Sequence, residues 1–329
     1  MPARLLVTGS SGFVGRAVAN RAAADGWQVR ASTRQADVSL PAGIQPATGL
    51  DLTAGTDWRT ALGGVAAVVH CAARVHVMRD NATDPLSEFR RVNVAGTLSL
   101  ARQAADAGVR RFVFISSIGV NGAATTGLPF QADDRPAPHS PYAQSKYEAE
   151  QGLHQIARAS GLELVVIRPP LVYGPGAPGN FAKLMRALYG GLPLPLGAVH
   201  NRRSFVGLDN LVDLIMVCLV NPAASNQTFL VSDDDDMSTT AMLRRTANAL
   251  GCPARLLPIP APLLGAVARA LGKADLAQRL FGSLQVDIGK TCSLLGWAPV
   301  RTVEDGLQRT AAHFLAERQV AQSAALRRS

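Results

Sequence analysis

The run Arg4-Leu5-Leu6-Val7-Thr8 passes directly into Gly9-Ser10-Ser11-Gly12-Phe13-Val14-Gly15, and this junction constrains the fold more than any other stretch. The apolar run reads as a short buried strand. Val14, Val18 and Ala22 then share one face of a helix that stops near Gly26, and residues 27–32 read as a second strand. Strand, glycine turn, helix and strand within about thirty residues form a βαβ unit, whose strands must be parallel. Glycines at such a turn let the backbone approach a pyrophosphate, and the helix N-terminus supplies donors and a positive dipole. In this context Gly9, Gly12 and Gly15 mark a dinucleotide site, with Ser11, Phe13 and Val14 as further contacts in the same turn.

The alternation continues. Residues 65–70 read as an apolar strand, and 85–107 carry helical periodicity through Phe89, Val92 and Leu100. Residues 111–116 read as a strand, 141–159 as a helix ending at Gly161, and 162–167 as a strand closed by Arg168-Pro169-Pro170. Strands and helices in this order argue for an α/β fold, a doubly wound parallel sheet with helices on both faces. Beyond Pro170 glycine and proline become frequent and periodicity weakens. The expected division is a Rossmann domain of 1–170 plus about 205–231, a smaller C-terminal α/β substrate lobe of about 171–204 and 232–315, and a flexible tail over 316–329.

The chain has 329 residues, 47% of them hydrophobic, which is enough for a sizeable core. The net charge of +9 is spread over scattered arginines, with small knots at Arg202-Arg203 and Arg327-Arg328. Charge that is not gathered with aromatic side chains on one face argues against nucleic acid and suits anionic small ligands such as phosphates. Cys71, Cys218, Cys252 and Cys292 are far apart and lack metal-ligand spacing, so they read as reduced thiols of a cytoplasmic protein. No leader is expected before the first strand. The longest apolar stretch, 256–271, is interrupted by Pro258, Pro260, Pro262 and Arg269, so no membrane span is expected. The run Asp233–Asp236 reads as a solvated loop before a helix start at Ser238, with no metal, and Trp58 and Trp297 read as core anchors.

Chemistry concentrates at Tyr142-x-x-x-Lys146, preceded by Ser116-Ser117. Four residues apart on a helix, Tyr142 and Lys146 share a face. A lysine cation beside a tyrosine favours the phenolate and lowers a pKa that is otherwise about 10, which makes the tyrosine a usable acid/base. A serine hydroxyl can hold the same substrate oxygen: Ser117, with Ser116 as neighbour or substitute. On the cofactor side, NAD sites usually carry an acidic residue at the end of the second strand. Here Ala31-Ser32-Thr33-Arg34 stands there, with no carboxylate until Asp37. Arg34 suits a 2′-phosphate, so NADP is expected ahead of NAD. Asp51-Leu52 follows a third strand, in reach of the adenine edge. Cys71-Ala72-Ala73 gives small side chains where the backbone nears the cofactor, and Asn93 is either a core-facing amide or a group behind the site.

Gly9-x-x-Gly12-x-x-Gly15, His70-x-Ala72-Ala73, Ser116-Ser117, Tyr142-x-x-x-Lys146 and Arg168-Pro169, in this order and spacing, resemble the extended short-chain dehydrogenase/reductase superfamily, in its nucleotide-sugar epimerase, dehydratase and reductase branch. The resemblance covers nearly the whole chain. It implies that Tyr142 is the acid/base, that Lys146 lowers its pKa and bonds the nicotinamide ribose, and that Ser117 holds the reacting oxygen. It also implies a cofactor contact at Pro169, and roles for Asn180 and Arg203, with Arg279 as a second phosphate contact, in holding a UDP-sugar.

Dehydratases of the family carry an Asp-Glu pair after the catalytic hydroxyl residue. Ile118-Gly119 stands there in this chain and cannot do acid/base work. The expected activity is an NADP-dependent 4-reductase of a UDP-linked 4-keto hexose, as in bacterial O-antigen synthesis. The alternative is a UDP-hexose 4-epimerase with bound NAD. A third reading, a non-catalytic dinucleotide-binding regulator, is opposed by the presence of both Tyr142 and Lys146. The resemblance also implies a homodimer formed through two helices per subunit, including the one bearing Tyr142.

Overall fold

Apolar residues alternate along the strands and so leave both faces of the sheet greasy. Leu5, Val7, Val113, Ile115, Val165 and Ile167 are buried in one cluster, and their neighbours Leu6, Phe112, Phe114, Leu164 and Val166 in another. Such a sheet needs helices on each side. In the computed structural model, which describes residues 3–34, 40–41, 43–75, 84–270, 272, 278 and 280–326, it has them.

The chain runs β1 (Arg4–Thr8), α1 (Phe13–Ala24), β2 (Gln28–Ser32), β3 (Ile44–Ala47), α2 (Arg59–Leu62) and β4 (Ala67–His70). Then come α3 (Pro85–Phe89), a π-helical segment (Arg90–Gly96), α4 (Thr97–Asp106), β5 (Arg111–Ile115), α5 (Pro141–Ser160) and β6 (Glu163–Arg168). The second half holds β7 (Leu171–Tyr173), α6 (Gly179–Tyr189), β8 (Phe205–Gly207), α7 (Leu208–Val220), β9 (Gln227–Leu230), α8 (Thr239–Ala249) and α9 (Ala261–Ala270). Helices Gly289–Leu295 and Val303–Leu326 follow. Helix Val303–Leu326 carries regular structure through residues expected to be a flexible tail.

The central sheet has seven strands in the order β3-β2-β1-β4-β5-β6-β9, every pair parallel. The doubly wound expectation is therefore met. Strand order reverses between β1 and β4, which opens a crevice at their carboxyl ends. Residues of α1 and α7 cover one face of the sheet, and residues of α4 and α5 the other. A third cluster lies off the sheet, built from Tyr173, Phe181, Met185, Met242, Leu243, Val303 and Leu307.

Local signals fix α5, the helix of Tyr142. Ser140 Oγ accepts from Ala143 N at 3.2 Å, Pro141 opens the first turn, and Gly161 ends the helix at φ +76°. Trp58 and Trp297 are both buried, as expected of core anchors. The acidic run departs from its expectation. Asp233 is buried: it accepts from Gly207 N, Asn210 Nδ2 and Tyr173 Oη at 2.7–3.0 Å and so fastens β8 and α7, while Asp234 is exposed as expected.

His70, at the end of β4, is wholly buried, with Nδ1 2.6 Å from Thr8 Oγ1 and Nε2 2.8 Å from Thr97 Oγ1. Burial, with Lys146 nearby, pushes its pKa down to about 3, so it folds neutral. A histidine lowered in the folded state supports stability above its unfolded value near 6.5, and that support is lost as pH falls towards the folded value. Acidification from pH 6.5 to 5 should therefore cost about 2 kcal/mol, at about 1.4 kcal/mol per unit, read as a lower urea midpoint. His70→Gln should start less stable and show a flatter profile over that window.

Candidate active site

Lys146 projects from α5 onto the end of β5. Its Nζ donates to the Ile115 carbonyl at 2.8 Å and stands 4.4 Å from the centroid of the Phe114 ring. Only 2% of Lys146 is exposed, and burial pulls its pKa down to about 8 against the opposing influence of Cys71 and Glu150. Tyr142, one turn earlier, meets Phe89 edge-on at 6.0 Å. Burial pushes Tyr142 up to about 12, so the expected lowering by Lys146 is not what the structure shows. The physical reason is desolvation: the half-buried phenol loses water that would stabilise its anion.

The two serines diverge. Ser117 is half-buried and caps the short turn Ile118–Val120, its Oγ accepting from Gly119 N at 3.1 Å. Ser116 points the other way, into the interior, where its Oγ donates to Glu150 Oε1 at 2.5 Å. Ser116 is therefore a structural group and no substitute for Ser117. Glu150 pairs with Arg168, Nη2 to Oε2 at 2.6 Å and Nε to Oε1 at 3.0 Å, and Arg168 Nη1 reaches Asn121 Oδ1 at 3.0 Å. Gly119 is closely surrounded. A Cβ there would lie 3.2 Å from Ala143 Cβ and 3.3 Å from His139 Cε1, while Ile118 is buried. The two positions that carry acids in dehydratases thus hold a buried isoleucine and a closely surrounded glycine, neither of which can do acid/base work.

The glycine turn is a cradle that a side chain would fill. Gly9 has φ +68°, and a Cβ on it would fall 2.8 Å from Ala72 N. A Cβ on Gly15 would fall 2.2 Å from the Gly9 carbonyl, and Gly12 N donates to that carbonyl at 2.9 Å. Ser11 and Gly12 are exposed, and Phe13 and Val14 half-buried, at the N-terminus of α1. This open start of a helix, beside glycines that keep the backbone bare at 9, 12 and 15, fits a dinucleotide pyrophosphate. Ser10 Oγ donates to Ser32 O at 2.8 Å and so ties the turn to the end of β2, where exposed Arg34 follows buried Ser32 and Thr33.

The other expected cofactor residues sit around this crevice. Cys71, Ala72 and Ala73 follow β4 and are half-buried, and burial pushes the Cys71 thiol up to about 12. Asp51 is exposed, and Leu52 abuts Gly96, where a Cβ would fall 2.7 Å from the Leu52 carbonyl. Pro169 accepts from Ile118 N at 3.0 Å through its carbonyl. Asn93 is buried behind the site. Its amide bonds Arg74 N at 2.8 Å, Arg74 O at 3.0 Å and Ser145 Oγ at 3.0 Å, which locks the loop after β4 to α5.

Of the substrate-side candidates, Arg203 lies in a stretch bridged to Met237 and Leu284, and its Nη1 donates to Gly282 O at 2.8 Å. Asn180 belongs to the first turn of α6, with its side chain outside the described residues, and Arg279 lies outside them altogether. A separate open cleft of about 520 Å3, lined by residues that include Arg202, Asp236 and Asp287, contains none of the expected site residues. Glu150 is the group that sequence reasoning missed. It lies at the same four-residue interval as Tyr142 and Lys146, and that spacing was the available signal.

Sheet, cradle and tyrosine–lysine helix together define a Rossmann-type enzyme of the extended short-chain dehydrogenase/reductase class. The chain belongs to the NAD dependent epimerase/dehydratase family, whose model matches residues 5–232. It is 47% identical over 318 residues to a UDP-glucose 4-epimerase of Vibrio cholerae, covering 96% of both chains. It is 28% identical to the N-acetyl-alpha-D-glucosaminyl-diphospho-ditrans,octacis-undecaprenol 4-epimerase of Escherichia coli O157:H7, covering 93% of each. Among solved structures it shares its fold with a UDP-glucose 4-epimerase from Thermotoga maritima crystallised with UDP-glucose, at TM-score 0.76 and 22% identity, covering 95% of this chain and 99% of that one. Among the described residues no helix is long and apolar enough to cross a membrane.

The cradle gives a direct test. Gly15→Ala forces the Gly9 carbonyl to move, so dinucleotide affinity should fall at least tenfold in a binding titration. The strain of overpacking, about 1–3 kcal/mol, should appear as a lower melting temperature.

Proposed function

We propose that the protein is a UDP-hexose 4-epimerase that works with a tightly held NAD. The carrying observation is the identity to the Vibrio cholerae UDP-glucose 4-epimerase along essentially the whole of both chains, 96% of each, and Lys146 holding the end of β5, two residues before Ser117, supports the reading. When bound, NAD supplies a reversible hydride acceptor for the sugar C4. Tyr142 Oη takes the proton from the C4 hydroxyl and later returns it. Ser117 Oγ holds the same oxygen by a hydrogen bond. Lys146, held at the end of β5 by the Ile115 carbonyl, would bond the ribose of the bound cofactor. Arg203 presents a planar fork to the diphosphate, which suits two phosphate oxygens at once. C4 would pass through a ketone, and return of the hydride to its opposite face, with the proton from Tyr142, would give the inverted alcohol. The reading extends to a homodimer through two helices per subunit, α5 among them, and to supply of sugars for surface polysaccharide.

One observation favours a second reading. The end of β2 carries Ser32, Thr33 and exposed Arg34 with no carboxylate, which suits the 2′-phosphate of an exchanging NADPH and a one-way 4-keto reductase.

Two measurements separate the readings. Denaturation of the purified protein should release close to one NAD(H) per chain, and UDP-glucose should convert to UDP-galactose without added nucleotide. A protein that releases no nucleotide, and consumes NADPH only when given a UDP-4-keto sugar, is the reductase instead. Tyr142→Phe should lower kcat by about 100-fold or more while the NAD content stays unchanged.

A further inference from the structure

Lys146 is a buried cation, and a second cation, Arg168, is buried at the end of β6, paired with Glu150. Two positive charges in one interior are costly without an anion between them. Glu150 is that anion. It sits one turn after Lys146 and two turns after Tyr142 on α5, and its residue is 2% exposed. Its carboxylate takes three hydrogen bonds, from Ser116 Oγ at 2.5 Å and from Arg168 Nε and Nη2 at 3.0 and 2.6 Å.

The geometry joins Glu150 to the reacting groups in two ways. Successive residues of the β5 end are gripped from the same helix: Lys146 Nζ holds Ile115 O, and Glu150 holds Ser116 Oγ. The next residue is Ser117, whose direction depends on Ser116 being turned inward. Arg168 then carries the fastening outward through Asn121 Oδ1, and Asn121 Nδ2 donates to Gln131 O at 2.8 Å.

We infer that Glu150 is a positioning residue of this site, which holds Ser117 in register through Ser116 and keeps Lys146 an ammonium by balancing Arg168. The inference rests on reading Lys146 as part of the active site. Among the described residues, the titratable groups around this interior are few. From the end of β4 come His70, neutral because burial drives it to about 3, and Cys71, a neutral thiol pushed to about 12. From α5 come Tyr142, neutral at about 12, Glu150, and His154, which burial lowers. From β6 comes Arg168. The charges that matter are therefore Lys146, Glu150 and Arg168, one anion between two cations.

The charge of Lys146 is open to direct measurement. The chain has four lysines, Lys146, Lys183, Lys273 and Lys290, so lysine labelled with carbon-13 at Cε gives a spectrum of four signals. The Lys146 signal is assigned by its loss in Lys146→Met, and its shift followed against pH reports the ammonium. Glu150→Gln leaves Arg168 unbalanced, so Lys146 should titrate at least one pH unit lower than in the parent, a tenfold change in the ratio of its two forms. Arg168→Gln leaves Glu150 unbalanced, and Lys146 should titrate higher. Where Glu150→Gln does not fold, Arg168→Gln and the double variant Glu150→Gln/Arg168→Gln carry the test, and Lys146 should titrate higher in the first than in the second. A Lys146 titration that stays in place across the folded variants overturns the proposal. The readout does not depend on turnover: a shift without UDP-sugar activity would sink the epimerase reading alone, and activity without a shift would sink this inference alone.

Discussion

The demand of a buried ammonium organises the centre of this molecule. Lys146 is held in the interior, where a cation loses hydration and must be compensated by oriented dipoles and an opposing charge. The compensation comes from three neighbouring places: the Ile115 carbonyl, the electron-rich face of Phe114, and the Glu150 carboxylate one helical turn away. Each of these fixes backbone. The carbonyl ends β5, the ring belongs to the same strand, and Glu150 binds the ends of both β5 and β6. Helix α5 can therefore neither slide nor rotate without uncovering charge. The face that α5 turns to β5 is set by electrostatics as much as by the packing of Ala149 and Leu153 beneath it.

A second constraint works from the opposite wall of the crevice. The backbone at Gly9 lies so near Ala72 and Gly15 that no side chain fits between them. That contact brings the ends of β1 and β4 together at the reversal of strand order. It places Cys71, whose thiol is in electrostatic reach of Lys146, on the floor between the two walls. His70, wedged between the Thr8 and Thr97 hydroxyls, carries the link from β1 through β4 to α4. Cradle and tyrosine–lysine pair are thus parts of one connected interior.

The parallel sheet was legible in the sequence because its signals are local: apolar runs, glycines at strand ends, and helices with a cap at one end and Gly161 at the other. The site was legible in part. Spacing put Tyr142 and Lys146 on one face. It could not say which of Ser116 and Ser117 faces the crevice, because that depends on how the end of β5 is turned by Glu150, a contact across 34 positions. Tyr142's resistance to ionisation was equally hidden, since burial is a property of the assembled fold. The run at Asp233 misled for a similar reason. Four acids in a row read as solvated, yet one of them is matched by a backbone amide, an asparagine and a tyrosine that arrive from distant segments. The contribution of Arg34 to cofactor choice rests on a single exposed side chain, which spacing could name but not weigh.

Tyr173 stands where early and late parts of the chain meet. Its hydroxyl bonds Asp233, and its ring presses against Gly306, where a Cβ would fall 2.8 Å from the phenol oxygen. The third cluster draws on Phe181, Met242 and Leu307 at once, so it needs the last helix. Six of the seven sheet strands precede Tyr173 in the chain, whereas this cluster is completed by residues near its end. During synthesis, then, six of the seven sheet strands are in hand well before the third cluster can close. Apolar surface around Tyr173 stays uncovered through that interval, when a growing chain is most exposed to misassembly and most in need of a chaperone.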